Sequence, residues 1–248
     1  MRNKVFLQVA LNGDQVHPST PRTPSEIAQA AWDAVHAGAD SVHVHAFDKD
    51  GRETLEAEAC GDVLRAIRRL CPGTPISLTT SASIVSDPAK RLRMVEQWQE
   101  LPDLVTANQG EAGIVKLCEL LLSRGVEIEA GLLSVSDAKA FLASGLADRC
   151  RRVLIEPLDL APQVAVAHAA AMEELITAAG IQLEQVHHGY GIACWEVNRR
   201  ALDRGHGIRT GFEDITLLPD GSPARDNAAL VAAALELIQA SRKQESRP

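Results

Sequence analysis

The chain has 248 residues and a formal net charge of −8, with no basic tract. That balance argues against nucleic acid or an anionic membrane surface as its main partner, and no apolar run approaches the roughly 18 residues of a membrane span. Five scattered cysteines without a CxxC pair, and a start at Met1-Arg2-Asn3-Lys4 without a cleavage-site pattern, lead to the expectation of a reduced, cytoplasmic protein.

In chain order, residues 4–10 form a first short apolar run. Thr23-Pro24-Ser25-Glu26 then makes a capping box, with Thr23 as N-cap, and the helix it opens ends near Gly38. Residues 41–46 read as the second strand. The helix over 56–70 carries Val63, Leu64, Ile67 and Leu70 at helical spacing. Residues 75–80 form the third strand, and Asp87-Pro88 starts the third helix. A fourth strand over 104–107 precedes an amphipathic helix carrying Ile114, Leu117, Cys118, Leu121 and Leu122. Strands over 126–131, 153–157, 183–187 and 208–211 complete the set, with helices over 136–144, 162–179 and 194–204 between them and 224–240 at the end.

Eight alternations of strand and helix in a chain of this length predict one α/β domain, a (β/α)8 TIM barrel over residues 1–240, with 241–248 as a disordered tail. A doubly wound sheet fits less well, because the first turn, Ala10-Leu11-Asn12-Gly13, is not GxGxxG.

Ser41-Val42-His43-Val44-His45 is the most informative stretch. Alternate residues of a strand leave the same face, so the two imidazoles lie roughly 6–7 Å apart along the chain. From there two ring nitrogens can meet one metal ion at about 2.0–2.1 Å. Hydrogen-bonded histidines inside a barrel are the metal-free alternative.

Barrel chemistry sits at the carboxyl ends of the strands. Those ends carry Asn12, His43 and His45, Thr79 and Thr80, Asn108, Glu129, Glu156, His187 and His188, and Arg209-Thr210-Gly211-Phe212-Glu213-Asp214. Asn12, Thr80, Asn108 and Glu129 are expected to face substrate. A third metal ligand can come from Glu213 or Asp214, since the eighth strand lies beside the first, or from the His187-His188 dyad. Where one of the adjacent carboxylates binds metal, the other is free to act as a base. Arg209 offers a fixed fork for a carboxylate or enolate oxygen.

Together these residues resemble the β-keto acid cleavage enzyme family. The resemblance rests on Leu11-Asn12-Gly13, Thr23-Pro24-Ser25-Glu26-Ile27-Ala28, and Ala37-Gly38-Ala39-Asp40-Ser41-Val42-His43-Val44-His45. Asp48 and Gly51, Trp195, Gly207-Ile208-Arg209-Thr210-Gly211-Phe212-Glu213-Asp214, and Asn227 complete it. It implies a zinc-bearing barrel, commonly a homotetramer, that condenses a β-keto acid with acetyl-CoA to give acetoacetate and a new acyl-CoA. By the same resemblance His43, His45 and Glu213 are the zinc ligands, Asp214 is the general base, Arg209 is its orienting partner, and Thr79 falls near a position where a hydroxyl is used. The chain departs from the pattern in carrying Phe47 where an arginine is usual, Thr80-Ser81-Ala82-Ser83 in place of a glycine-rich stretch, and shorter loops. Arg52 or Arg209 would then have to supply the cation that Phe47 does not.

Two other functions keep the same polar residues. One is a metal-dependent hydrolase or lyase acting on a small keto or carboxylic acid without CoA. The other is a non-catalytic barrel that binds metal or a small ligand. His188-Gly189-Tyr190-Gly191 and the start of the last helix are a weak phosphate signal, since the glycines serve a tight turn equally well.

Overall fold

The computed structural model describes residues 4–13 and 17–245. Its elements are β1 (Leu7–Ala10), α1 (Pro24–Ala37), β2 (Ser41–Val44), β3 (Ala46–Phe47), β4 (Glu53–Thr54), α2 (Ala57–Leu70), β5 (Ile76–Thr79) and α3 (Pro88–Glu96). They continue with β6 (Leu104–Asn108), α4 (Ile114–Ser123), β7 (Glu127–Leu132), α5 (Val135–Ser144), β8 (Arg152–Ile155) and α6 (Pro162–Ala178). The last are β9 (Glu184–His187), α7 (Cys194–Asp203), β10 (Gly207–Thr210) and α8 (Asn227–Glu245). Strands β1, β2, β5, β6, β7, β8, β9 and β10 close into a parallel barrel, with β10 returning to β1. The (β/α)8 architecture expected from the alternation is the one observed.

Local chemistry explains the boundaries. Thr23 Oγ1 accepts from the Glu26 amide while the Glu26 carboxylate accepts from Thr23 N–H, so α1 starts as a reciprocal capping box. Asp87 and Ser134 cap α3 and α5 in the same sense.

Two expectations change. The second strand does not run on to residue 46: after His45 the chain turns into a small antiparallel hairpin, β3–β4. Its loop is held by Asp48, whose carboxylate accepts from the amides of Asp50 and Arg52. The last helix begins at Asn227 and runs to Glu245. The stretch from Ser241 is therefore helical as far as Glu245, with Arg242 and Lys243 in the final turn complementing the negative end of the helix dipole. Residues 246–248 lie outside the described residues.

Apolar residues fill the space between barrel and helices, including Val9, Val42, Val44, Ile27, Leu64 and Ile67. Alternation sends Ser41 and His43 to the opposite face of β2 from Val42 and Val44. The barrel interior is polar in its lower part. Glu129, fully buried, accepts from Gln8 Nε2 at 2.9 Å and from the Ser77 hydroxyl, and Arg152 Nε stands 3.6 Å away over the Phe6 ring.

The barrel closes at a tight seam. Gly211, with φ +146°, passes so near β1 that a Cβ would sit 2.0 Å from the Ala10 carbonyl oxygen. Only glycine fits there. Asn227 fastens the same seam: its amide donates to the Leu11 carbonyl and its oxygen accepts from Phe212 N–H, both at 2.9 Å. Asn227→Ala leaves two buried backbone groups unpaired. We expect it to cost about 2–3 kcal/mol, read as a lower urea midpoint with an unchanged denaturant slope.

Candidate active site and metal centre

β2 and the turn after β10 both flank β1, and this brings His43, His45 and Glu213 together. His43 Nε2 is 3.4 Å from Glu213 Oε2, and His45 Nε2 is 3.4 Å from Glu213 Oε1. Of these atoms, His45 Nε2 and Glu213 Oε2 are buried and have no hydrogen-bond partner. Unpaired buried donor and acceptor atoms are costly, and three convergent N and O ligands with an open side suit a divalent cation.

The opposite ring nitrogens are fixed from behind. His43 Nδ1 lies 3.2 Å from both Ser77 Oγ and Thr106 Oγ1. Both hydroxyls donate to Glu129, Thr106 at 3.3 Å, so Nδ1 must carry the hydrogen and Nε2 keeps its lone pair for a ligand. Burial lowers the His43 pKa to about 3, which keeps the ring neutral. His45 Nδ1 donates to Glu53 Oε1 at 2.9 Å. Burial opposes a charge on His45, but Glu213 and Glu53 outweigh it and raise its pKa to about 10, so a bound cation would take the place of a proton at Nε2.

Arg209 is the hub beside this triad. Its guanidinium, fully buried, donates to Asp214 at 3.1 and 2.8 Å and forms an ion pair with Glu213 at 2.9 Å. Burial would raise the pKa values of both carboxyls, yet Arg209 holds both below the usual range. Asp214 also lies 3.4 Å from His188 Nδ1, and His188 Nε2 lies 3.4 Å from Glu156. Burial pushes the Glu156 carboxyl up.

A cavity of about 380 Å³ opens onto the triad. Its wall includes His43, His45, Glu213 and Arg209 together with Thr79 and Asn108, and also Glu53, Ser81, Ser83, Thr106, Glu156 and Tyr190. Asp214 stands behind this wall, 1% exposed.

The other three residues expected to meet substrate lie elsewhere. Asn12 is occupied by backbone: its amide donates to the Pro21 and His45 carbonyls and its oxygen accepts from His45 N–H at 2.8 Å. It positions the main chain of His45. Thr80 donates to the Thr106 carbonyl at 2.8 Å, and Glu129 sits beneath the triad. Of the two arginines weighed against Phe47, Arg209 is on the wall, whereas Arg52 pairs with Asp48 and Asp50 in the solvent-exposed hairpin loop. Phe47 itself lies under the guanidinium of Arg22, 5.1 Å from its centroid.

The histidine dyad splits. His188 joins Glu156 and Asp214, while His187 stacks on His206 at 4.6 Å near Glu173. Glu173 accepts from Arg204 Nε and His206 Nε2, each at 3.0 Å, and from Arg200. Those donors already occupy its carboxylate, so this cluster reads as a brace between α6 and α7.

A sequence profile described as "beta-keto acid cleavage enzyme" matches residues 4–245. The chain belongs to this family. It is accordingly an enzyme that cleaves carbon–carbon bonds of β-keto acids. It is 26% identical over 269 residues to a 3-keto-5-aminohexanoate cleavage enzyme of Fusobacterium nucleatum subsp. nucleatum, covering 100% of this chain and 96% of that protein. It is 32% identical over 102 residues to the 3,5-dioxohexanoate:acetyl-CoA acetone transferase of Paraburkholderia graminis, a match over 41% of this chain and 32% of that one. The solved structure of ObcA in a ternary complex with a C4-CoA adduct and oxalate superposes with a TM-score of 0.73 at 15% identity. That match covers 90% of this chain and 64% of the ObcA chain, so this chain spans less than two thirds of ObcA's length, and the likeness shows the fold.

Family membership and these partners yield two expected outcomes. Glu53→Ala should weaken metal affinity about 10–100-fold by freeing the His45 ring, measured by competition with a chelating dye. For Glu173, burial would raise the pKa, but hydrogen bonds from His206, Arg200 and Arg204 hold it at about 2 against the ordinary 4.5. Its stabilisation is therefore complete above that ordinary value and lost as the pH falls through the folded one. Urea unfolding between about pH 6 and about pH 2.5 should show this loss, and Glu173→Gln should flatten it while costing about 2 kcal/mol at neutral pH.

Proposed function

We propose that this enzyme condenses a β-keto acid with acetyl-CoA, giving acetoacetate and the CoA ester of the remaining acyl group. The atoms balance: R–CO–CH2–COO⁻ and acetyl-CoA exchange acyl partners, with no oxidant or reductant. The observation that carries this reading is the pair of orphaned atoms, His45 Nε2 and Glu213 Oε2, facing His43 beside the Arg209–Asp214 pair. The chemistry named in the Fusobacterium and Paraburkholderia proteins supports it, as does the CoA adduct bound by ObcA.

In this reading His43, His45 and Glu213 hold zinc. Zinc would supply a Lewis acid that polarises the keto oxygen. Thr79, Asn108 and Arg209 on the cavity wall bind and orient the keto acid. Asp214 is the general base and takes the proton from the carbon between the two carbonyl groups. Arg209 keeps Asp214 ionised at neutral pH and aims its carboxylate through two hydrogen bonds. The resulting enolate attacks the thioester carbonyl, and acyl exchange followed by reverse Claisen cleavage releases both products. Arg209 is the fixed cation nearest the developing oxyanions, the kind of donor whose loss typically costs about 10²–10³ in rate. Glu156 gives a second candidate for the base, because its less acidic carboxyl lies on the cavity wall and joins Asp214 through His188. A homotetramer is part of the proposal by family resemblance. A cytoplasmic location is part of the proposal on the cysteine usage alone; no helix among the described residues is long and apolar enough to cross a membrane.

The decisive experiment joins elemental analysis with turnover of a panel of β-keto acids. We expect about one zinc per chain, lost in the His43→Ala/His45→Ala double variant, and turnover that requires acetyl-CoA. Asp214→Asn should retain zinc and lower kcat about 10²–10⁴-fold. An active Asp214→Asn alongside an inactive Glu156→Gln would move the base to Glu156. Metal-dependent cleavage without any acyl-CoA would replace the proposal with a CoA-independent lyase.

A further inference from the structure

Glu111 lies in the turn between β6 and α4 and takes no part in the chemistry above. Its Oε1 accepts from Ala82 N–H at 2.8 Å and from Asn108 Nδ2 at 3.1 Å. Its Oε2 pairs with Arg91 Nη1, and Arg91 Nη2 donates to the Ala112 carbonyl at 2.7 Å. Arg91 is 1% exposed, an arginine on α3 whose buried charge has Glu111 as its partner. One carboxylate thus joins three elements: the loop after β5, the end of β6, and α3.

Two of these supply the cavity wall. Ser81 and Ser83 line the cavity from the loop after β5, and Asn108 lines it from β6. Within the loop, Ser81 Oγ and Ser83 Oγ lie 2.8 Å apart and Ser81 N–H reaches Thr79 Oγ1 at 3.3 Å, so these bonds are local. The Ala82 amide is the point at which Glu111 ties the loop to its neighbour. The same oxygen holds the Asn108 side-chain amide, and Glu111 N–H donates to the Asn108 main-chain carbonyl at 3.1 Å, so Asn108 is fixed on both sides. Neutral hydroxyls and amides on loops hold a ligand well only when their geometry is set beforehand. A charge-assisted bond to a buried arginine makes such a setting firm.

We infer that Glu111, backed by Arg91, is a positioning residue that fixes the Ser81–Ser83 and Asn108 wall for keto-acid binding. It acts on substrate affinity and not on the metal centre or the base, from which it is separated by that wall. The inference rests on the cavity being the keto-acid site.

The test uses zinc-loaded enzyme and three variants. Glu111→Gln keeps an oxygen for Ala82 N–H and Asn108. Glu111→Asp keeps the charge for Arg91 but withdraws it from the loop. Glu111→Ala removes both. We expect Glu111→Asp and Glu111→Ala to raise KM for the keto acid about tenfold or more with kcat within about threefold, zinc content unchanged, and Glu111→Gln to recover most of the affinity. Should Glu111→Ala fail to fold, Glu111→Asp carries the decision. An unchanged KM in Glu111→Asp overturns the inference, as does a joint fall in kcat and zinc content. Amide hydrogen exchange over residues 79–83 keeps the two readings apart, because it needs no turnover. Exchange that rises in Glu111→Asp while wild type turns over no keto acid would leave the tether standing and remove only the reading of the cavity. Unchanged exchange overturns the tether whatever the enzyme turns over.

Discussion

A fully buried guanidinium has to be neutralised where it sits, and at Arg209 this requirement shapes the whole rim of the barrel. Asp214 satisfies it with two hydrogen bonds and Glu213 with an ion pair at 2.9 Å. The three side chains therefore cannot choose their rotamers independently. Glu213 is presented to His43 and His45, and Asp214 is held as an ionised carboxylate one residue further on. The turn that makes this possible begins at Gly211, where β10 meets β1 too closely for any side chain.

Beneath the rim, the barrel uses hydrogen bonds where most barrels use branched apolar side chains. Gln8, Ser77, Thr106 and Arg152 converge on Glu129, and through the two hydroxyls the protonation of His43 is decided. This inner layer is part of the site even though none of Gln8, Ser77, Glu129 and Arg152 needs to touch substrate. A similar division holds at His45, oriented by Glu53 on its ring and by Asn12 on its backbone.

Much of this was legible in the chain, and the exceptions share a cause. Period-two alternation revealed the histidine pair, cap chemistry revealed where α1 and α3 begin, and the count of alternations revealed the barrel. The motif around Arg209 located the carboxylates because its residues are neighbours in sequence. Glu53, Ser77, Thr106 and Glu111 carried no such mark, since their partners lie on other elements and are set by barrel register. Asn12, Thr80 and Glu129 were rightly seen as polar strand-end residues, but a sequence does not show whether such a group faces a ligand or a neighbour's backbone. Alternation already implied that His187 and His188 could not share a face, yet which of them points inward depends on the register of β9 against β8. The β3–β4 hairpin escaped notice because two-residue strands are too short to show a period.

The three candidate metal ligands come from opposite ends of the sequence and meet only where β10 closes on β1. A chain emerging during synthesis presents both histidines early but has no complete coordination set until its final strand and turn are made. Cation capture would thereby be tied to completion of the fold. Partly folded species with an open barrel would hold an ion through two imidazoles at best, and the closed form would gain the full binding free energy. The ion would thus act as a late clasp on barrel closure, selecting finished molecules from unfinished ones.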